Sequence, residues 1–371
     1  MRIVFWASAL LVVYTYAGYP LWLYLRSRWR RGAVQARAAL LPVSPPVSIV
    51  MAVRNEEKSL AGKLANLLEL DYPAELCEII VVSDGSSDAT AAILAAHACG
   101  RLRVIELPQS QGKAVALNHG IAAARGEIVV FTDARQRIDR DAVRHLVNNF
   151  ADDGVGAVSG ELVIGSDAGR GLGLYWELEK KIRQWECAAA STIGATGALY
   201  AVRRPLLSPL PAGTILDDVY LPMQVARQGK RVIFEPRARA YDQLGTARHE
   251  FRRKVRTLSG NYQLLQLAPW LLTRANPVRF EFVCHKLLRL LVPFALAALL
   301  LSSLLAPGPL YRSAFVLQCA FYGLAALARY RQHLSFVGRL ADLSHSFVLL
   351  NTAAALALLY FVTGKRAAWS R

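Results

Sequence analysis

The apolar and polar positions divide the chain into three stretches. Residues 3–25 carry no acidic or basic side chain, and as a helix they are long enough to cross ~30 Å of hydrocarbon. From residue 47 the pattern changes to short β-branched runs alternating with amphipathic ones. It predicts strands at 47–53, 78–83, 102–107, 128–132, 155–159, 196–202 and 231–235. Between them it predicts helices at 56–70, 88–98, 113–124, 140–150, 171–190 and 218–228. Such alternation implies an α/β fold built on an open, mostly parallel sheet with helices on both faces. The aromatics Tyr175, Trp176 and Trp185 in the 171–190 helix read as core more readily than as sugar platforms.

Beyond Gly245 the pattern changes again. Residues 249–261 set Arg252, Arg253, Lys254 and Arg256 beside Phe251, Val255 and Leu258, which suits a helix lying at a membrane surface. A semi-apolar stretch, 264–282, is broken by Pro269 and Pro277. Three apolar runs follow at 287–306, 313–328 and 345–362, the last containing Asn351. As three crossings they place Arg329, Arg331 and Arg339 inside and the tail with Lys365, Arg366 and Arg371 outside. The positive-inside rule disfavours that tail, so either one run is not a crossing or the rule fails here. The expected organisation is a transmembrane anchor at 1–30, an α/β domain at 45–247, interface helices at 248–283 and a membrane region at 284–371. The segment 41–46, LPVSPP, is a stiff connector.

Composition adds location. A hydrophobic fraction of 54% and a mean hydropathy of +0.27 place part of the chain in lipid. The net charge of +17 gathers beside apolar segments, as at Arg26, Arg28, Arg30, Arg31 and Arg37. That placement fits an anionic bilayer face, with the N-terminus outside and residue 26 onward in the cytoplasm. The charge follows the first apolar run rather than preceding it, which reads as an uncleaved anchor. No zinc finger, homeodomain or RNA-binding signature occurs, so nucleic acid is not the expected partner. Cys77, Cys99, Cys187, Cys284 and Cys319 match no metal-ligand spacing and read as reduced thiols facing a reducing compartment.

The chemistry centres on 127–135, EIVVFTDAR, where a buried strand delivers Asp133 to the carboxyl end of the sheet. Asp133 reads as a metal or phosphate-site residue, or as an N-cap of the next helix. Further acids follow other strands: Asn55-Glu56-Glu57, Asp84-Gly85-Ser86-Ser87-Asp88 and Asp217-Asp218. Acids on one rim repel each other unless a cation or polar ligand joins them. Gln111-Gly112-Lys113 sets a cation at a helix start, suited to a pyrophosphate or else simply solvated.

Taken in order, Asn-Glu, Asp-Gly-Ser-Ser-Asp, Gly-Lys, Asp133, Thr196-Gly197-Ala198 and Asp217-Asp218-Val219-Tyr220-Leu221 resemble the family-2 glycosyltransferases of GT-A fold, over about residues 47 to 260. The flanking helices resemble the membrane branch that makes cellulose, hyaluronan, chitin and poly-N-acetylglucosamine. The resemblance implies that Glu56 and Asp84 hold the uracil and ribose of a UDP-sugar and that Lys113 approaches the nucleotide. Asp133 matches the first acid of the Asp-x-Asp metal motif, with Mg2+ or Mn2+ as cofactor. Thr196 and Gly197 would line the donor-sugar pocket, and Asp218, beside Asp217, would be the general base. An inverting transfer of a hexose or N-acetylhexosamine to a glycan or lipid-linked acceptor follows, at a bacterial inner membrane and alongside other polysaccharide-assembly proteins.

Two departures shape the expectation. The metal motif reads Asp133-Ala134-Arg135, and Arg135 cannot ligate a cation but can pair with a diphosphate. The metal site is therefore expected to rest on Asp133, the nucleotide and His249. The Gln-x-x-Arg-Trp motif of polymerising synthases is matched only by Arg253-Lys254-Val255-Arg256-Thr257. Arg253 and Arg256 can neutralise diphosphate or attract anionic lipid, while the aromatic platform is missing. Addition of one or a few sugars is favoured over processive synthesis, with a silent nucleotide-sugar-binding scaffold as the third reading. A nucleotide-dependent dehydrogenase is disfavoured by the lack of Gly-x-Gly-x-x-Gly after the first strand.

Overall fold

The computed structural model describes residues 1–34, 44–165, 170–242, 247–328 and 335–364. Helix α1 (Arg2–Val13) continues through a π-helical turn, Tyr14–Gly18, into α2 (Tyr19–Val34). The α/β domain then runs β1 (Val47–Val53), α3 (Leu60–Leu68), β2 (Cys77–Asp84), α4 (Thr90–Ala96), β3 (Leu102–Leu107), α5 (Lys113–Ala123), β4 (Ile128–Thr132) and β5 (Arg137–Ile138). It continues with α6 (Ala142–Asn148), β6 (Val155–Ile164), α7 (Arg170–Ala189), β7 (Leu199–Arg203), α8 (Asp217–Arg227) and β8 (Arg231–Asp242). Helix α9 (Ala247–Leu267) follows. Then α10 (Arg279–Phe282) passes through a second π-helical turn, Val283–Leu287, into α11 (Leu288–Leu305), α12 (Pro309–Ala326) and α13 (Ser335–Val362).

All seven residues of β1 are buried, because the strand is covered on both faces. Ile49 and Met51 pack with Leu60, Leu64, Val143 and Leu146, whereas Val50 packs with Ala116 and Leu117 on the other side. The two-residue period of a strand thus feeds two cores at once.

The eight strands lie in the order β3-β2-β1-β4-β7-β6-β8-β5. The expected parallel pairing holds for β3, β2, β1 and β4. Past β4 the sheet is mixed, since β7 runs antiparallel to both β4 and β6 while β6 and β8 are parallel. Strands β6 and β8 outrun their sequence expectation because a register irregularity between Ser159 and Glu161 carries the pairing past Gly160. A Cβ at Gly160 would lie 2.6 Å from the Ala238 carbonyl oxygen. The helix expected at 56–70 begins only at Leu60. Asn55 is in the left-handed region at φ 53°, and its side-chain oxygen accepts from the Ser87 amide at 2.8 Å, tying the first loop to the second.

Among the described residues three helical segments are long and apolar enough to cross a membrane: Arg2–Trp29, Arg279–Leu305 and Leu340–Val362. The 313–328 run falls in α12, which is not one of them. Helix α13 ends with Phe361 stacked on Tyr262 of α9, 5.5 Å between centroids, so it finishes beside the helix that adjoins the domain. Of the two alternatives left by the charge pattern, the one with a non-crossing run fits this packing. Arg37, residues 41–43 of the connector, Gly245, Arg329, Arg331, Lys365, Arg366 and Arg371 lie outside the described residues, as do the side chains of Arg30, Arg31 and Arg339.

Helix α7 is locked to these membrane segments by buried polar contacts. His285 sits between Glu186 (2.7 Å) and Glu179 (3.2 Å), Tyr19 donates to Glu186 at 3.2 Å, and Arg289 pairs with Glu179. Arg26 and Glu281 join the first membrane helix to the second.

Gly160→Ala is expected to lower unfolding stability by about 1–3 kcal/mol, the usual cost of overpacking a closed site. An unchanged melting midpoint would contradict the close approach of β6 and β8.

Candidate active site

The site is assembled at the carboxyl ends of β2 and β4 and the start of α8. Asp84, the last residue of β2, is fully buried. Its Oδ1 accepts from the Gln111 amide at 2.7 Å, and its Oδ2 accepts from the Gly112 amide at 2.9 Å and the Ser110 hydroxyl at 2.8 Å. Gly85, at φ 59°, lies where a Cβ would fall on the Ser110 amide nitrogen. These contacts fix the loop that leads through Gly112, at φ 94°, into α5.

Lys113 opens that helix and reaches into the cleft. Its Nζ lies 2.9 Å from Asp133 Oδ1 and 3.2 Å from Asp217 Oδ1. Asp133 follows β4, whose Thr132 donates to the Ala198 carbonyl and accepts from buried Lys63 Nζ, both at 2.8 Å. Asp218 Oδ2 accepts the Gly197 amide at 3.0 Å. A Cβ on Gly197 would stand 3.3 Å from Asp218 Oδ2 and 3.7 Å from Asp133 Oδ2, so this glycine keeps the space between the two acids open. Thr196 is buried, its amide donating to Ser159 Oγ at 3.1 Å.

The acids differ in their electrostatic state. Burial would raise the Asp133 carboxyl, but the charges of Lys113, Arg135 and Arg256 hold it below the usual carboxylate range. Burial and then the neighbouring Asp217 push Asp218 up to about 6, with Lys113 and Lys286 opposing. Burial lowers Lys63 to about 7 against the pull of Asp133. Tyr200 stacks on Phe131 at 4.7 Å, and its phenol is raised by burial and by the acids Asp217, Asp218 and Asp133.

An open cleft of about 470 Å³ joins these groups. Lys113, Asp133, Arg135, Thr196, Gly197, Asp217, Asp218, Arg253 and Arg256, all expected from the sequence, line it. Glu56, Asp84 and His249 do not. Glu56 accepts from the Ser59 hydroxyl at 2.7 Å in the neighbouring loop, and Asp84 acts here through the loop it holds. His249 is exposed near the start of α9. Among the described residues no group of three or more His, Cys, Asp or Glu side chains is placed to hold a metal.

Several lining residues escaped the sequence reading. Trp176, taken as core, faces the cleft with Lys254 Nζ 4.1 Å from its ring centroid. Glu161, Glu179, Lys180 and Arg183 line the wall formed by β6 and α7. For Glu179, Lys180 and Arg183 the only signal was helical spacing from Trp176 along α7, too common a pattern to single them out, and Glu161 on β6 gave none.

An open α/β sheet here gathers acids, a lysine and a glycine at the carboxyl ends of its strands, where folds of this kind bind their ligands. Residues 48–208 match the model of glycosyl transferase family 2, and the chain carries a family-2 glycosyltransferase domain of GT-A fold. The chain is 28% identical over 233 residues to the poly-beta-1,6-N-acetyl-D-glucosamine synthase of Staphylococcus aureus (strain COL), covering 59% of this chain and 55% of that one. The probable glycosyltransferase YdaM of Bacillus subtilis is 28% identical over 234 residues, 58% of this chain and 55% of that one. The chain thus spans about half the length of the curated relatives it matches. Among solved structures, the mannosyltransferase PcManGT of Pyrobaculum calidifontis, in complex with GDP-Man and Mn2+, superposes with a TM-score of 0.73 at 25% identity, covering 96% of this chain and 99% of that one.

In the general-base role expected of it from the sequence, Asp218 works only when deprotonated, so its rise to about 6 predicts that transfer falls as pH drops through about 6. The pH dependence of kcat checks this, and an acid limb near 4, the value of an ordinary carboxylate, would contradict it.

Proposed function

We propose that the protein is an inverting membrane glycosyltransferase that moves a hexose or N-acetylhexosamine from a nucleoside diphosphate sugar to an acceptor held at the membrane. The observation that carries this reading is the space that Gly197 leaves between Asp133 and Asp218, beside the ammonium of Lys113. A sugar C1 in that space has a base on one side and cations for a leaving diphosphate on the other.

Asp218 takes the proton of the acceptor hydroxyl as its oxygen bonds to C1, while the bond from C1 to the diphosphate oxygen breaks. One displacement inverts the anomeric centre. Arg135 and Arg256 have no ion-pair partner among the described residues, and both lie within electrostatic reach of Asp133. They are suited to offset the charge gathering on the diphosphate. Lys113 keeps Asp133 ionised and holds both Asp133 and Asp217 in place.

Asp133 fits a divalent cation in one respect: Oδ1 is taken by Lys113, while Oδ2 faces the space beside Gly197. Mg2+ and similar ions commonly rest on one or two carboxylates plus substrate phosphates, so no all-protein cage is needed. Bound there, the cation would supply charge neutralisation on the diphosphate. His249, exposed and outside the cleft lining, would have to move to join it. Glu56 and Asp84 flank the base and ribose end, with Asp84 contributing through the Ser110–Gly112 loop.

The family resemblance favours a UDP-sugar, while PcManGT holds GDP-Man. The basic run on α9 keeps Arg256 without the tryptophan of polymerising enzymes, which supports addition of one or a few sugars over extrusion of a polymer. The helices and the charge pattern support a multi-pass protein of the cytoplasmic membrane with its domain on the cytoplasmic face.

Membranes carrying the full chain should transfer label from one member of a panel of UDP-glucose, UDP-N-acetylglucosamine and GDP-mannose, and EDTA should reduce the rate by at least about tenfold. Transfer from none, with binding retained, would favour a silent scaffold. Transfer indifferent to EDTA would remove the cation alone. Asp218→Asn should abolish transfer and leave nucleotide binding within about twofold, since the base is used in the transition state. Full activity in that variant would overturn its role.

A further inference from the structure

Lys63 is a buried charge that neither lines the cleft nor, among the described residues, pairs with an acid. It lies on α3 and is 3% exposed. Its Nζ donates to Thr132 Oγ1 at 2.8 Å and to the Gln136 carbonyl at 2.6 Å, both neutral oxygens. Burial lowers the ammonium to about 7, with the charge of Asp133 opposing. As filler such a group is costly. An ammonium with no bonded carboxylate gives up its hydration for little in return, whereas methionine would occupy the same space between helix and sheet without that loss.

The two oxygens that Lys63 joins bracket one turn. From Thr132 to Ile138 burial alternates: Thr132, Ala134, Gln136 and Ile138 are buried, Asp133 is half-buried, and Arg135 and Arg137 are exposed. Asp133 and Arg135 therefore leave the same side of the segment, and both line the cleft. Lys63 holds the opposite side at both ends of that pair. Past the turn, Asn66 on the same helix clasps Ile138: its Nδ2 donates to the Ile138 carbonyl and its Oδ1 accepts from the Ile138 amide, both at 2.9 Å. From the other direction, Gln136 Nε2 donates to Asp242 Oδ2 at 3.0 Å, and Arg253 of α9 donates to the same oxygen at 3.1 Å. The turn is thus fixed between α3 and α9, and Lys63 is the anchor that spans its two charged side chains.

We propose that Lys63 is a positioning residue for the transfer: by bonding both ends of the 132–136 turn it aims Asp133 and Arg135 at the donor diphosphate. The role rests on the transferase reading and adds to it what keeps the carboxylate and the guanidinium in register. A turn that must present both charges to one ligand gains from being fixed, since a displacement of about 1 Å can cost on the order of a hundredfold in rate.

The test compares Lys63→Met with Asn66→Ala in the full chain. Membranes give kcat, with the donor that the parent protein uses among UDP-glucose, UDP-N-acetylglucosamine and GDP-mannose. Detergent-solubilised protein gives the melting midpoint and the binding of UDP and GDP in EDTA. Lys63→Met should lose at least about tenfold in kcat with its midpoint within about 2 °C of the parent, because removing an unpaired buried charge offsets the lost hydrogen bonds. Its nucleotide affinity should hold within about twofold, as the Asp84 loop and Lys113 are untouched. Asn66→Ala, which strips two buried backbone groups of their partners, should lower the midpoint by at least about 4 °C and leave kcat within about threefold. Should Lys63→Met fail to fold, Thr132→Val, which removes one oxygen that Lys63 bonds while keeping the shape, decides the matter by its loss of kcat. Full kcat in Lys63→Met or in Thr132→Val would overturn the role. So would an equal loss in Asn66→Ala, or a loss that comes with weaker nucleotide binding, since either marks general damage to the domain. A parent protein that transfers from none of the three donors would defeat the transferase reading instead.

Discussion

One ammonium group, Lys113 Nζ, stands between Asp133 and Asp217, and the surrounding cleft depends on it. Asp133, Asp217 and Asp218 converge on one rim, burial disfavours the charged forms of Asp133 and Asp218, and without a central cation the acids would repel one another. The lysine is itself prepared upstream, by the two carboxylate oxygens of Asp84 and the left-handed turn at Gly112. Asp133, in contact with the cation, stays an anion. Asp218, shielded less and crowded by Asp217, rises to about 6. Two carboxylates on one rim thereby acquire opposite pKa shifts from different surroundings.

The far wall of the cleft is held by the membrane helices. Glu179, Glu186, His285 and Arg289 are largely removed from solvent, and their desolvation is offset only when their contacts are all made together. Such a cluster fixes the position of α7 against the first and second membrane segments. Since α7 also lines the cleft with Trp176 and Arg183, it joins the apolar helices to the cleft wall.

The first half of the sheet was legible because its strands are β-branched runs bounded by turn residues, and β1, β3 and β4 begin and end where the pattern says. The acids were legible for a related reason: a carboxylate directly after a buried strand has few structural uses. The mixed half was harder to read. Alternation alone does not separate a parallel return from the antiparallel return of β7, and Gly160 reads as a strand end where it is a bulge. The helix at 56–70 started late because Asn55 and Glu57 spend their side chains on the neighbouring loop rather than on a helical turn. Lys63, Arg183 and Lys286 gave no local signal, since each acquires meaning only from residues far away in sequence. His249 follows β8 closely in the chain, yet it ends up exposed and away from the cleft lining.

The most direct test of this account is the pH profile of residual transfer by Lys113→Gln. Lys113 lowers the Asp218 carboxyl, so removing its charge should move the acid limb of kcat upward from about 6. A limb that stays where the parent protein has it would show that the lysine does not govern the acids, and the central claim would fall.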